Sequence, residues 1–189
     1  DTRISTNPGT SLYPSVAVSG SAITVVWSDD REGNNEIYCK CSSDGGSNWG
    51  SVSRLSNTTA DSQLASVIQA CSTVHVVWCE GLTPEIYYRH STDLGINWGP
   101  ETRLTFNDAV STNPSISYAS SNVHVVWSDQ RDGNFEIYSK SSTDGGLSWG
   151  IDTRLTNSSG SSFMPSICQY GSVIMHIVWY DDRDGNDEI

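Results

Sequence analysis

Apolar positions along this chain fall in short runs, and no segment sustains the three-and-four spacing of an amphipathic helix. The runs are rich in Val, Ile, Tyr and Trp and are separated by clusters of Gly, Asn, Asp and Ser, which predicts strands joined by turns. Strand a is expected near 15–18, 66–69, 115–118 and 166–169, and strand b at 23–27, 74–78, 123–127 and 175–179. Strand c is expected at 36–40, 85–89 and 136–140, with Glu188 and Ile189 starting a fourth copy. Strand d follows at 52–55, 101–104 and 152–155. Strand b is almost wholly apolar instead of alternating, the pattern of a strand buried on both faces. Pro14, Pro114 and Pro165 sit just ahead of the expected strand a, where a missing N–H is tolerated.

These elements repeat. A Trp closes strand b at Trp27, Trp78, Trp127 and Trp179, in steps of 51, 49 and 52 residues. A second Trp recurs at Trp49, Trp98 and Trp149, in steps of 49 and 51. A period near 50 fits four-stranded propeller blades and does not fit helical repeats. The expectation is an all-β, antiparallel β-propeller with three whole blades, at 6–56, 57–105 and 106–156, and a split or incomplete fourth at 157–189. Residues 1–5 copy strand d (compare Asp152 to Thr156) and are expected either to complete the fourth blade or to belong to a longer parent chain with more blades. Chains short of a hairpin could also complete each other's rings by self-association.

Charge narrows the partners. Lys and Arg total 10 against 22 Asp and Glu, a net charge of −12, which disfavours nucleic-acid backbones and anionic membranes. No apolar run approaches the roughly 18–20 residues of a spanning helix. The five cysteines, Cys39, Cys41, Cys71, Cys79 and Cys168, include no CxxC pair and read as small buried residues.

Three tight turns carry the clearest motif: Ser42-x-Asp44-x-Gly46-x-x-Trp49, Ser91-x-Asp93-x-Gly95-x-x-Trp98 and Ser142-x-Asp144-x-Gly146-x-x-Trp149. An Asp in a turn accepts backbone N–H groups, Gly supplies positive φ, and the Trp covers the hairpin base. On these residues the chain resembles the Asp-box (bacterial neuraminidase repeat) β-propellers found in sialidases. The resemblance implies that the boxes are structural c–d hairpins on the face away from an active site. It also implies an extracellular or cell-surface location.

A second motif, W-S-D-x-R-x-G-N-x-E-I in its commonest form, joins strands b and c. It places Asp30 and Arg31 in the first unit, Arg131 and Asp132 in the third, and Arg183 and Asp184 in the fourth; residues 81–84 of the second lack an Arg. By strand alternation these turns lie on the rim opposite the boxes. Three readings stand for them. The arginines brace the loop against a neighbouring Asp and Glu36, Glu136 or Glu188; they grip carboxylates of acidic sugars by forked hydrogen bonds; or the acidic turns bind calcium, against which the Asp-x-Arg order puts a cation where a ligand oxygen belongs. Tyr13, Phe106 and Phe163, placed in the d–a crossovers, form a candidate sugar-stacking set. His75, His124 and His176 recur on strand b as structural residues, and His90 stands without a visible partner.

The sialidase chemistry implied by the resemblance uses three arginines, a Tyr–Glu nucleophile pair and an Asp acid/base, outside the usual two-carboxylate scheme. No residue here transfers to those roles: Arg3 and Ile4 are followed by Ser5 where the family has Pro, and repeated arginines are poor candidates for a unique triad. The expected function is a non-catalytic module, scaffold and/or binder of glycans or a protein partner through the b–c and d–a loops, needing no cofactor or metal. A fragment of a sialidase-like glycoside hydrolase is the alternative.

Overall fold

The computed structural model describes residues 1–171 and 174–189 and builds a row of four antiparallel blades with no helix among them. Blade 1 holds β1 (Ser11–Ser19), β2 (Ala22–Asp29), β3 (Glu36–Ser42) and β4 (Ser53–Arg54). Blade 2 holds β5 (Ser62–Ala70), β6 (Thr73–Glu80), β7 (Glu85–Ser91) and β8 (Thr102–Arg103). Blade 3 holds β9 (Ser111–Ala119), β10 (Asn122–Asp129), β11 (Glu136–Ser142) and β12 (Thr153–Arg154). Blade 4 is the two-stranded sheet of β13 (Ser162–Tyr170) and β14 (Ile174–Asp181), extended by a single bridge between Asp181 and Glu188. Strands pair in simple a-b-c-d order, so this is a β-propeller arrangement whose ring is not closed.

Three differences from the sequence expectation have local causes. Strand a is nine residues long and contains the Pro position instead of following it, because a β-bulge falls there in every blade, including blade 2 where the residue is Ala65. Two residues face one Trp at each bulge: Tyr13 and Pro14 lie opposite Trp27, and Asn113 and Pro114 opposite Trp127. Tyr13, Leu64, Asn113 and Met164 take φ of 51°, 56°, 53° and 47° there; the residue that follows is a proline in blades 1, 3 and 4, which a bulge tolerates, and Ala65 in blade 2. Tyr13 and Phe163 are therefore strand residues, in β1 and β13, and not crossover residues. Strand d shrinks to two residues in blades 1 to 3: Leu55 N, Leu104 N and Leu155 N still donate to strand c, but the return donors Ile37 N, Ile86 N and Ile137 N go to the side-chain hydroxyls of Ser56, Thr105 and Thr156. Residues 1–5 form no strand, and Ile4 O accepts a hydrogen bond from Lys40 Nζ (3.5 Å) beside blade 1.

The core lies between blades. Val26, Ile37 and Leu55 of blade 1 pack with Val67, Val76 and Trp78 of blade 2. Val77, Ile86 and Leu104 of blade 2 pack with Ile116, Val125 and Trp127 of blade 3. A smaller cluster joins Val126 and Ile137 to Ile167. Each such aliphatic side chain contributes about 1.5–3 kcal/mol by leaving water, which is why strand b is apolar on both faces. Cys39 and Cys79 are buried as expected, whereas Cys71 and Cys168 are exposed and Cys41 is half-buried.

Candidate functional site

The turns sort onto two rims. Gly45 N donates to Ser21 O and Gly145 N to Ser121 O, so the a–b and c–d turns meet at one end of the blades. Asn34 Nδ2 donates to Ala60 O (2.7 Å) and Asn134 Nδ2 to Gly160 O (2.5 Å), which ties the first and third b–c turns to the next d–a crossover at the other end.

On the first rim the Ser-x-Asp turns close on themselves. Asp44 Oδ1 accepts from Ser42 Oγ (2.9 Å) and Asn48 N (2.8 Å), Gly46 N donates to Ser42 Oγ (2.9 Å), and Trp49 Nε1 donates to Gly46 O (3.1 Å). Asp93 with Ser91, Gly95 and Trp98 repeats the same bonds. In the third turn Asp144 takes Ser142 Oγ and Ser148 N, and hydrogen bonds from Ser148 first hold its pKa at about 2. Gly46, Gly95 and Gly146 have φ of 85°, 76° and 89°.

On the second rim each blade carries a buried carboxylate at the end of strand b. Asp29 Oδ2 accepts from Trp27 Nε1 (3.1 Å), Ser11 Oγ (2.7 Å) and Asn7 Nδ2 (2.9 Å). Arg31 closes a fork on the same carboxylate through Nε and Nη2, both at 2.8 Å, while its guanidinium lies 4.1 Å over the Tyr38 ring. Blade 3 repeats the unit: Asp129 accepts from Trp127 (2.7 Å), Ser111 (3.0 Å) and both arms of Arg131 (2.8 and 2.6 Å), with Tyr138 4.4 Å below the guanidinium. Arg131 also reaches Asp152 (2.7 Å). In blade 4 Arg183 forks onto Asp181, joined by Trp179 (3.2 Å). Blade 2 lacks the Arg, and its longer Glu80 takes Trp78 (3.0 Å) and Ser62 (2.9 Å).

Burial alone would raise the Asp29 and Asp129 pKa values; the Arg, Trp and other hydrogen bonds outweigh it and hold both carboxyls below the usual range. Arg183 first holds Asp181 at about 2.

A second acid pairs across the hairpin from the first, Glu36 opposite Asp29 and Glu136 opposite Asp129. Its arginine comes from strand d: Arg54 meets Glu36, Arg103 meets Glu85 and Arg154 meets Glu136, each at 2.8 Å. The bracing partners expected for the turn arginines, Glu36 and Glu136, are thus taken by other arginines; Arg31 and Arg131 use Asp29 and Asp129, two residues back in their own turn. Arg183 likewise uses Asp181, while Glu188 accepts from Asn186 Nδ2 (2.8 Å). The Asp–Arg spacing was visible, but nothing in it told which of two acids each guanidinium would choose.

The other rim candidates are scattered. Asp30 Oδ1 accepts from Thr10 N (2.6 Å), and Asp132 meets Arg154 (3.1 Å) and the Tyr138 hydroxyl. Asp184 is exposed beside Arg183 and Trp179. Phe106 is exposed with Arg103 5.1 Å over its ring, Tyr13 is exposed, and Phe163 stacks on Tyr180 (5.5 Å). No group of three or more His, Cys, Asp or Glu poised to hold a metal occurs among the described residues. His90 does have a partner: its ring lies 6.0 Å from that of buried His75, whose Nδ1 is 2.7 Å from the Tyr88 hydroxyl.

The fold these blades define is that of sialidase-like β-propellers. Trypanosoma rangeli sialidase, solved as a covalent complex with 2,3-difluorosialic acid, superposes with a TM-score of 0.64 at 15% identity over 92% of this chain and 34% of that one. The phage phi92 endosialidase gives 0.63 at 11% identity over 90% of this chain and 31% of its own. An α-L-arabinofuranosidase from Lactobacillus brevis gives 0.60 at 15% identity, covering 90% and 65%. The chain spans about a third of the length of these sialidases. No protein-family model and no curated protein matches the sequence.

Proposed function

We propose that this chain is a non-catalytic Asp-box propeller module that recognises its partner through the rim of b–c turns and d–a crossovers. One observation carries the reading. The rim repeats one saturated unit, a buried carboxylate bonded by Trp and, in blades 1, 3 and 4, clamped by a forked Arg. A general acid needs a carboxyl whose pKa is raised toward the working pH, and these are pushed the opposite way. The closed bonding of Asp44, Asp93 and Asp144 fits a scaffold role for the other rim.

Acidic glycans are the ligand class this rim suits best, since the forked guanidinium of Arg31 stays partly exposed and that of Arg183 half exposed, with Phe106 and Tyr13 exposed as stacking faces. A partner of this kind fits an extracellular or cell-surface module. A glycan array presenting sialylated and uronic-acid sugars beside neutral ones tests it. Binding confined to acidic glycans and lost in Arg31→Ala/Arg131→Ala, with folding verified by circular dichroism, supports the reading. Binding indifferent to those substitutions overturns it. The second reading, part of a sialidase-like glycoside hydrolase, is favoured by the fold match and by the one-third coverage of the sialidases.

A further inference from the structure

Strand β3 of blade 1 carries two thiols that neither rim uses. Cys39 lies across the hairpin from Val26 and Cys41 from Thr24, so both side chains leave one face of the strand. That face looks at blade 2: Cys39 packs with Val67 and Val76, and a Cβ at Gly95 would come within 2.7 Å of Cys41 Sγ. The same two places hold Tyr88 and His90 in blade 2, and Ser139 and Ser141 in blade 3. In blade 2 the large side chain fills the space against the following blade, its Tyr88 ring edge-on to Trp149 at 4.9 Å and its hydroxyl on Gly145 O (3.4 Å). Between blades 1 and 2 the smaller thiols leave a cleft of about 560 Å³, lined by Cys39, Cys41, Trp49 and Ser53 on one side and Leu94 and Ile96 on the other.

The two sulfurs are unequal. Cys39 is 1% exposed in the interblade core, whereas Cys41 is half-buried at the cleft, with the Thr24 hydroxyl 3.4 Å from its sulfur. The Cys39 thiol donates a hydrogen bond to Cys41 and lowers the Cys41 pKa, while that bond and burial raise the pKa of Cys39. An accessible sulfur favoured as thiolate, touching a second thiol held protonated, is the pairing of a reactive cysteine with a resolving one.

We propose that Cys41 and Cys39 form a redox modification site that takes a small hydroperoxide in the cleft between blades 1 and 2. The Cys41 thiolate attacks the terminal oxygen of ROOH, the O–O bond breaks, and the departing alkoxide takes a proton to leave as ROH. Cys41 is then a sulfenic acid. The Cys39 sulfur attacks it, forming the S–S bond and releasing water. Two thiols and one hydroperoxide thus become one disulfide, one ROH and one water, with two electrons passing from sulfur to oxygen. The two-residue rise of a strand, roughly 6.6–6.8 Å, is at the long end of what a disulfide spans, so the bridge puckers β3 at Lys40 and a thiol reductant reopens it.

A pulse of hydrogen peroxide on the reduced full chain, followed by alkylation, trypsin and mass spectrometry, tests this. Trypsin cuts after Lys40, so the peptides 32–40 and 41–54 stay together only if Cys39 and Cys41 are bridged. The linked pair is expected to form first, within a chain that runs as a monomer on a non-reducing gel, and to separate in dithiothreitol. The exposed Cys71 and Cys168 are expected to oxidise about tenfold more slowly. Cys39→Ser leaves a Cys41 sulfenic acid that dimedone traps, and Cys41→Ser removes the linked pair. Oxidation of Cys71 or Cys168 ahead of Cys41 in the wild type overturns the proposal. So does oxidised Cys41 with no link to Cys39, or a link that joins two chains.

Discussion

Acidification from pH 7 to pH 5 is expected to remove about 2 kcal/mol of folding stability through His75 alone. His75 is fully buried between Tyr88 and Tyr118, with Nδ1 on the Tyr88 hydroxyl and Nε2 without a partner. Burial, with a smaller contribution from His90, lowers its pKa from 6.5 to about 4. The unfolded chain therefore binds a proton below pH 6.5 that the native protein refuses until about pH 4. Stability is full above 6.5, falls as pH drops, and the loss is complete below 4 at about 3 kcal/mol, at 1.36 kcal/mol per pKa unit. By pH 5 roughly two-thirds of that is gone. Burial lowers His90 and His124 in the same direction, so they steepen the slope. Asp29, Asp129 and Glu136, held low by their donors, add little above pH 5, while burial raises Glu101 and works against the His75 slope. Urea unfolding followed by Trp fluorescence at pH 7, 6 and 5 reads the slope directly. His75→Gln should lower stability at pH 7 but flatten the pH 7-to-5 difference by about 2 kcal/mol. An identical slope in wild type and His75→Gln would refute the reasoning.

Two further substitutions probe the rims. Arg131→Ala leaves the buried Asp129 carboxylate without its fork and should cost about 2–3 kcal/mol in urea unfolding, whereas Arg183→Ala, at the more open Asp181, should cost clearly less; equal losses would show that burial does not set the strength of these pairs. Gly146→Ala puts a Cβ at φ +89° and against the Tyr88 ring of the neighbouring blade, so thermal melts should show about 2 kcal/mol of destabilisation. Gly145→Ala, at φ +74° with open space around it, should lose about 1 kcal/mol, and a reversed order would contradict the packing described.

Much of the fold was legible because the blade interior imposes a one-letter demand at a fixed period: strand b must be apolar on both faces and end on a Trp that reaches the next acid. Trp27, Trp78, Trp127 and Trp179 meet it at near-constant spacing. The bulge was not legible. A proline preceded by Tyr, Ala's neighbour Leu, Asn or Met carries no local sign that the residue before it takes positive φ; the skip is set by pairing with the Trp opposite. The rim was half legible. The D-x-R turn announced a bracing pair, but a second acid stands across the hairpin and a second arginine arrives from strand d, and only their three-dimensional order matches each to its partner. His90 was missed as a partner because pairing of β6 with β7 places it across from His75, a relation invisible in a strand read alone.

Hydrolysis of a fluorogenic sialoside by the purified chain bears most directly on whether the saturated rim is scaffold or catalyst. The account predicts no release of fluorophore above buffer between pH 4 and pH 8, because the Asp29, Asp129 and Asp181 carboxyls are held ionised by their donors. Saturable turnover that disappears in Asp129→Asn would contradict it.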